Sequence, residues 1–180
     1  MIFFTSDLHF NHANAITYCN RPFVDVREMN EAIIARWNAL VQPGDNVYVL
    51  GDFAFWKADD DQGVPGLFAR LNGHKHLVKG NHDERNPKTL QLPWASKSDL
   101  ITVKQGNSRI ICCHYPLETW KGAQNGYLHL HGHSHGNMKR VIPHRWDIGV
   151  DCHDFTPVSF DTVVAWGLAQ TFEAQDHHGD

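Results

Sequence analysis

The sequence predicts a mixed α/β fold built on two packed β-sheets, and three observations lead there. Six short apolar runs, MIFFTS, NVYVLG, KHLVKG, SRIICCH, YLHLHG and WDIGVD, are rich in Val, Ile, Phe and Tyr and have the length of strands. Stretches of helical periodicity fall between them. The segment from about Ser96 to Ile111 reads as a hairpin across Gln105, Gly106 and Asn107, an antiparallel element that one clean parallel sheet would not contain.

Each element follows from local chemistry. MIFFTS opens the chain and leads into Asp7 and His9. Asp25 with Glu28 forms a capping box before a helix whose Met29, Ile33, Trp37, Leu40 and Val41 recur at helical spacing, until Pro43 and Gly44 end the pattern. NVYVL then leads into Gly51 and Asp52. A shorter helix runs from about Pro65 to Leu71 and stops at Gly73, after which HLV leads into Gly80, Asn81, His82 and Asp83. Beyond the hairpin, SRIICC leads into His114, and YLHLH into Gly132, His133, Ser134 and His135. DTVVAWGLAQ suits either helix or strand, only the tail DHHGD has the character of a disordered segment, and there is no internal repeat.

The length of 180 residues is read as a single domain spanning 1–180. With 42% hydrophobic and 20% charged residues and no apolar run near the roughly 20 that a membrane span needs, a soluble protein without a membrane partner is expected. MIFFTSD lacks both the basic region and the apolar stretch of a secretory signal. Cys19, Cys112, Cys113 and Cys152 form no CxxC pair, which points to the reducing cytoplasm and away from a thiolate metal site. The formal charge of −4 provides no general attraction for nucleic acid, so a phosphate-bearing substrate needs a locally positive site. Metal ions can supply one. Histidine is the unusual residue, 14 against 16 Lys plus Arg, and much of it lies beside glycine and aspartate.

Five separate strands end in a residue able to bind metal, the arrangement expected when loops at the carboxyl ends of sheet strands build one site. Those residues are Asp7, His9, Asp52, Asn81, His114, His133 and His135. Gly51, Gly80 and Gly132 permit the close backbone approach that such convergence needs. Two carboxylates, four imidazoles and an amide oxygen are too many ligands for one tetrahedral ion, but suit two borderline ions sharing a bridging carboxylate. Two divalent cations beside two aspartates leave a net positive pocket in an acidic protein.

In order, DLH, GD, GNHD, a lone histidine and GHSH resemble the signature of the calcineurin-like metallophosphoesterases, over the span from Asp7 to His135. The resemblance implies an αββα sandwich of two mixed sheets flanked by helices, and the short chain leaves no room for a large cap domain. It further implies that Asp7, His9 and His135 hold a first metal, that Asn81, His114 and His133 hold a second, and that Asp52 bridges them. His82 is implied as general acid, with Asp83 orienting that ring and raising its basicity. The implied reaction is dinuclear-metal-dependent hydrolysis of a phosphate ester, by in-line attack of a metal-bridging hydroxide while His82 protonates the departing oxygen. Mixed imidazole and carboxylate ligands suit Mn, Fe, Co, Ni or Zn better than Ca or Mg, with manganese expected first.

A phosphodiesterase is expected, because an uncapped centre is open to bulky or internal esters. The substrate is then a small-molecule or nucleotide phosphate ester. Phosphomonoesterase or phosphoprotein phosphatase is the alternative, and a non-catalytic protein-binding scaffold is a third reading that the retained His82 and full ligand set disfavour. No concentrated basic run indicates nucleic acid. His12 and Arg21 follow DLH as candidate substrate contacts; Arg21 either clamps phosphate bidentately or packs a turn beside Pro22. His129 and His131 match no ligand position and are expected as hydrogen-bonded core histidines. Asp147 and Asp151 are expected to be structural, and Trp56 with Asp59, Asp60 and Asp61 to form a solvated loop. His153, His177 and His178 receive no role.

Overall fold

Alternation along each strand divides its side chains between two cores. In a computed structural model that describes residues 1–56 and 63–173, the chain runs β1 (Ile2–Thr5), α1 (Ala13–Tyr18), α2 (Val26–Leu40), β2 (Asn46–Val49), α3 (Val64–Arg70), β3 (His74–Val78), α4 (Asn81–Arg85), α5 (Pro87–Leu90) and β4 (Ser96–Ser98). It continues through β5 (Leu100–Gln105), β6 (Ser108–Cys113), β7 (Leu128–His131), β8 (Arg145–Asp147), β9 (Val158–Ser159) and α6 (Phe160–Leu168). One sheet has the order β4-β3-β2-β1-β9, parallel except where β9 joins β1; the other has the order β5-β6-β7-β8, with only β5 antiparallel. Both sheets are therefore mixed, as the sequence led one to expect. The acidic run Asp59–Asp61 and the tail histidines His177 and His178 lie outside the described residues.

Phe3, Val47, Val49 and Leu77 point from the first sheet toward α2 and α3, where they meet Met29, Ile33, Trp37, Leu67 and Phe68. Phe4, Leu50 and Val78 point the other way and pack on Val103, Ile110, Cys112, Leu128 and Leu130 of the second sheet, with Phe160 and Val163 of α6. Strands filled on both faces need a layer on each side. That requirement produces the two-sheet sandwich and its covering helices.

Local signals mostly match their elements. The Asp25 carboxylate accepts from Glu28 N at 2.9 Å, while the Glu28 carboxylate reaches back to Val24 N at 2.6 Å. DTVVAWGLAQ resolves as helix α6, capped by Ser159 Oγ accepting from Thr162 N at 3.1 Å. Leu40, expected to face the core, is exposed. The hairpin is shorter than expected: Gln105 pairs with Ser108 around Gly106 and Asn107, but Ser96–Ser98 belongs to the other sheet, pairing with β3. The chain crosses between sheets at Asp99, which Lys79 Nζ holds at 2.6 Å. The run WDIGVD is strand only through Asp147; the chain then leaves β7, and Val150 N donates to Ser6 O at 3.0 Å. This crossing joins the two sheets at the end where the ligand-bearing loops emerge.

The histidines of β7 face away from the inter-sheet core. His129 Nδ1 donates to Ile111 O at 3.0 Å and its Nε2 accepts from Leu117 N at 3.0 Å, so both ring nitrogens are committed in one neutral tautomer. Burial pushes its pKa down to about 4, against the opposing pull of the Ile111 carbonyl. His131 Nδ1 donates to Gly132 O at 2.8 Å. These are satisfied core histidines. Among the described residues, no helix is long and apolar enough to cross a membrane.

Trp37 is fully buried in the helix-side core and donates its indole N–H to Asn72 O at 3.0 Å. Trp37→Ala is expected to cost about 3–5 kcal/mol in urea unfolding, from the cavity and the orphaned carbonyl together. A loss of under about 1 kcal/mol would show that this core is not packed as described.

Candidate metal centre

Parallel pairing carries the first two loops out of the sheet side by side. Beyond the ends of β1 and β2 the ladder continues, with Asp7 N donating to Gly51 O and His9 N to Asp52 O, both at 3.0 Å. Gly132 N likewise donates to His114 O at 3.0 Å, extending the β6 and β7 pairing. The predicted donors thereby meet in groups. Asp7, His9 and His135 present ligand atoms within 4.8 Å of one another, and so do Asp52, His114 and His133. Asn81 Oδ1 completes the second group, 3.1 Å from His114 Nε2 and 3.0 Å from His133 Nδ1. Asp52 Oδ2 lies 3.6 Å from His114 Nε2 and 3.9 Å from His9 Nε2, between the two groups.

These spacings test whether the residues fit a cation. Donors about 2.0–2.2 Å from a shared ion stand roughly 3.0–3.4 Å apart. The second group comes nearest to this, at 3.0, 3.1 and 3.6 Å, while the first is more open, with His135 Nε2 at 3.9 Å from Asp7 Oδ1. Nitrogen and oxygen donors of this mixture are those a divalent transition ion takes. His114 Nδ1 donates to Leu50 O at 2.7 Å, which leaves its Nε2 lone pair facing the centre.

The electrostatics hold the two buried ligands Asp7 and His9 toward their neutral forms. Asp7 is fully buried, and burial above all, with Asp52 adding to it, lifts its pKa to about 8 against the opposing His135 and Ser6. His9 is held well below its ordinary range by burial first, then by Arg21, His135, His82 and His12. A divalent cation opposes the first tendency and reinforces the second, because it favours the ionised carboxylate and the neutral imidazole together.

Backbone strain collects at the same place. Asp7, His9, Asp52, His133 and His135 have φ of 56°, 50°, 55°, 66° and 46°, a left-handed conformation that costs non-glycine residues about 1–3 kcal/mol in the least favourable cases. Glycine would relieve it but bears no ligand. Where a ligand is not needed, glycine is present for space: a Cβ on Gly132 would lie 2.0 Å from Ser6 Oγ and 2.4 Å from Asp7 Oδ2, and one on Gly80 would lie 2.4 Å from Asp52 Oδ1. The glycines of GHSH and GNHD let backbone pass directly over the two aspartates.

His82 N donates to Asp52 Oδ1 at 2.9 Å, and its one-third-exposed ring lies with Nε2 3.9 Å from Asp52 Oδ2. It lines a cavity of about 210 Å³ with His9, His12, Tyr18, Cys19 and His135. The expected Asp83 contact with this ring is not formed. Neighbouring residues on a helix point in different directions, and the buried Asp83 carboxylate instead accepts from Asp52 N, Gly80 N and Phe53 N at 2.8, 2.9 and 3.1 Å. Burial, opposed by those amides, raises its pKa to about 6. Asp83 ties the β2 loop to α4 through backbone.

Of the two roles read for Arg21, phosphate clamp or packing residue, the structure favours packing. Its side chain is buried, and its fork is occupied by Asp151, with Nε to Oδ1 at 2.8 Å and Nη2 to Oδ2 at 2.9 Å. Nη2 and Nη1 also donate to Asp7 O and Leu8 O at 2.7 and 3.0 Å. His12 does reach the cavity, its ring 5.3 Å from His9 and 5.8 Å from His82. Asp151 itself touches the site: His135 Nδ1 donates to its Oδ2 at 2.7 Å. Burial disfavours the charged His135 ring, but Asp151, Cys19 and Asp7 together raise its pKa to about 10. Asp151 closes WDIGVD, so the strand-end pattern that marked the other residues applied to it too.

A fold of two mixed sheets with imidazole and carboxylate loops gathered at one edge defines a class of metal-dependent phosphoesterases. The family model of the calcineurin-like phosphoesterases matches residues 1–167, and the chain belongs to that family. An uncharacterized protein of Methanocaldococcus jannaschii is 34% identical over 169 residues, covering 91% of this chain and 89% of that one. The gene 66 protein of Mycobacterium phage L5 is 24% identical, covering 82% and 85%. A crystal structure of a protein of unknown function from Aquifex aeolicus superposes with a TM-score of 0.73 at 25% identity, covering 92% and 98%.

Gly132→Ala is expected to lower the thermal midpoint, an overpacking cost of about 1–3 kcal/mol. Gly66→Ala, with no described atom within 4 Å of the new Cβ, is expected to be neutral or stabilising by up to about 1 kcal/mol. Equal midpoints for the two variants would contradict the close passage over Asp7.

Proposed function

We propose that this protein hydrolyses phosphate esters at a two-ion centre, with phosphodiesters of small molecules or nucleotides as its substrates. The convergence of all seven strand-end donors, of which His9 and His135 line the cavity together with His82, carries this reading. Asp7, His9 and His135 would hold one ion, Asn81, His114 and His133 the other, and Asp52 would serve both. Manganese is the first ion to try, ahead of Fe, Zn, Co and Ni. When bound, the ions would supply Lewis acidity toward the phosphoryl oxygens and lower the pKa of water from about 15.7 toward roughly 7.

The chain's own residues do the rest. Asp52 Oδ1 accepts from His82 N, which fixes the start of α4 and sets the ring at the cavity wall. From there His82 delivers a proton to the departing ester oxygen, a contribution of about 10²- to 10⁴-fold that matters most for a poor leaving group. His12, beside His82 and stacked on Phe55 at 4.9 Å, would touch the ester substituent, a reading its position on the cavity wall supports. Among the described residues, the cavity lining contains neither Lys nor Arg. That supports a diester over a monoester, because a singly charged group needs less neutralisation than a dianion.

With Mn²⁺ restored, bis-nitrophenyl phosphate is expected to turn over faster than mono-nitrophenyl phosphate. The reverse order would assign a phosphomonoesterase, and a metal-loaded protein inert on both would assign a scaffold. His82→Ala is expected to keep both ions by elemental analysis, losing about 10²-fold or more on an alkyl ester and less on a nitrophenyl ester. Loss of an ion instead would make His82 a ligand, which its closeness to His9 and Asp52 allows. Asp52→Ala is expected to reduce the content of both ions, and full retention would remove it from the shared position.

A further inference from the structure

We infer that Arg21 and Asp151 form a positioning pair that builds the Asp7, His9 and His135 half of the centre and sets its affinity apart from that of the other half. The inference rests on the two-ion reading above.

A buried guanidinium is costly unless its donors are satisfied, and Arg21 satisfies them on groups that lead to the centre. Nη2 donates to Asp7 O at 2.7 Å and Nη1 to Leu8 O at 3.0 Å, fastening the backbone where Asp7 takes its left-handed turn. The fork on Asp151 fixes both carboxylate oxygens, at 2.8 and 2.9 Å. Held there, Asp151 Oδ2 accepts a hydrogen bond from His135 Nδ1 at 2.7 Å. The His135 ring is left with Nε2 as its free donor, and that atom faces Asp7 Oδ1 at 3.9 Å. One side chain thus reaches two of the three ligands in this half, one through a carbonyl and one through a carboxylate.

The other half is braced differently. His114 Nδ1 donates to the neutral carbonyl of Leu50 at 2.7 Å, and Asp83 fastens its loops through backbone amides. Neither Arg21 nor Asp151 is among the described hydrogen-bond or ion-pair partners of Asn81, His114 or His133. An anionic partner behind an imidazole orients it and strengthens its donor nitrogen, and loss of such a partner typically weakens metal affinity about 10- to 100-fold. Asp7 Oδ2 also accepts from His133 N at 3.0 Å, but the pair itself touches only the first half, so its effect falls chiefly on one ion.

The test is titration of the metal-free full chain with Mn²⁺ by calorimetry, with ion content checked by elemental analysis and metal-free thermal melts run in parallel. Wild type is expected to bind two ions. Asp151→Asn, which keeps the shape but not the charge, is expected to weaken one binding event about 10- to 100-fold and leave the other unchanged. Arg21→Lys, which keeps a cation but loses the fork, is expected to weaken the same event, and it carries the test if Asp151→Asn does not fold. Two wild-type binding events in Asp151→Asn would overturn the inference, as would loss of both events in step with metal-free stability, the pattern of a purely structural ion pair. A wild type binding fewer than two ions would overturn the two-ion reading itself, and the inference with it.

Discussion

Two buried carboxylates, Asp7 and Asp52, stand at the ends of adjacent parallel strands, and the surrounding structure is arranged to make that tolerable. An isolated buried anion is among the least favourable groups a fold can contain, and here burial raises Asp7 far above the ordinary aspartate range. What the fold assembles around the pair is specific to it: peptide N–H groups on the carboxylate oxygens, four imidazoles, and glycines thin enough to let those peptides approach. The donor set is of the kind that takes divalent ions.

The sandwich makes this gathering possible. Because β1, β2 and β3 are parallel and packed on both faces, their loops leave at one end, and β6 and β7 do the same in the facing sheet. The two bundles of loops meet where Val150 bonds to Ser6 across the gap. Aspartate and histidine residues take left-handed conformations at that meeting, while the strands themselves remain regular. A rigid, doubly packed body is what lets the loops hold conformations that are unfavourable locally.

Charged residues near the centre divide into those that face the cavity and those that hold it in shape. Asp83, Asp151 and Arg21 belong to the second kind, since their hydrogen bonds go to backbone, to each other and to a histidine ring. Charge is effective in this capacity because a buried carboxylate or guanidinium can fix several partners at once.

Much of this was legible in the sequence, for a physical reason. Strand composition, capping chemistry at Asp25 and the breakers Pro43, Gly44 and Gly73 are local properties, so they located the elements, and the same residue types following five strands marked Asp7, His9, Asp52, Asn81, His114, His133 and His135. Direction was not legible. Whether Ser96–Ser98 pairs with β3 or extends the hairpin, and whether DTVVAWGLAQ coils, depends on which surface each segment meets. Arg21 and Asp83 illustrate the same limit: an arginine in a loop after DLH can face substrate, and an aspartate beside a histidine can back its ring. Tertiary packing turned the first onto Asp151 and the second onto the amides of Asp52 and Phe53, because a buried charge goes where it finds the most donors or acceptors, and those lie far away in the chain.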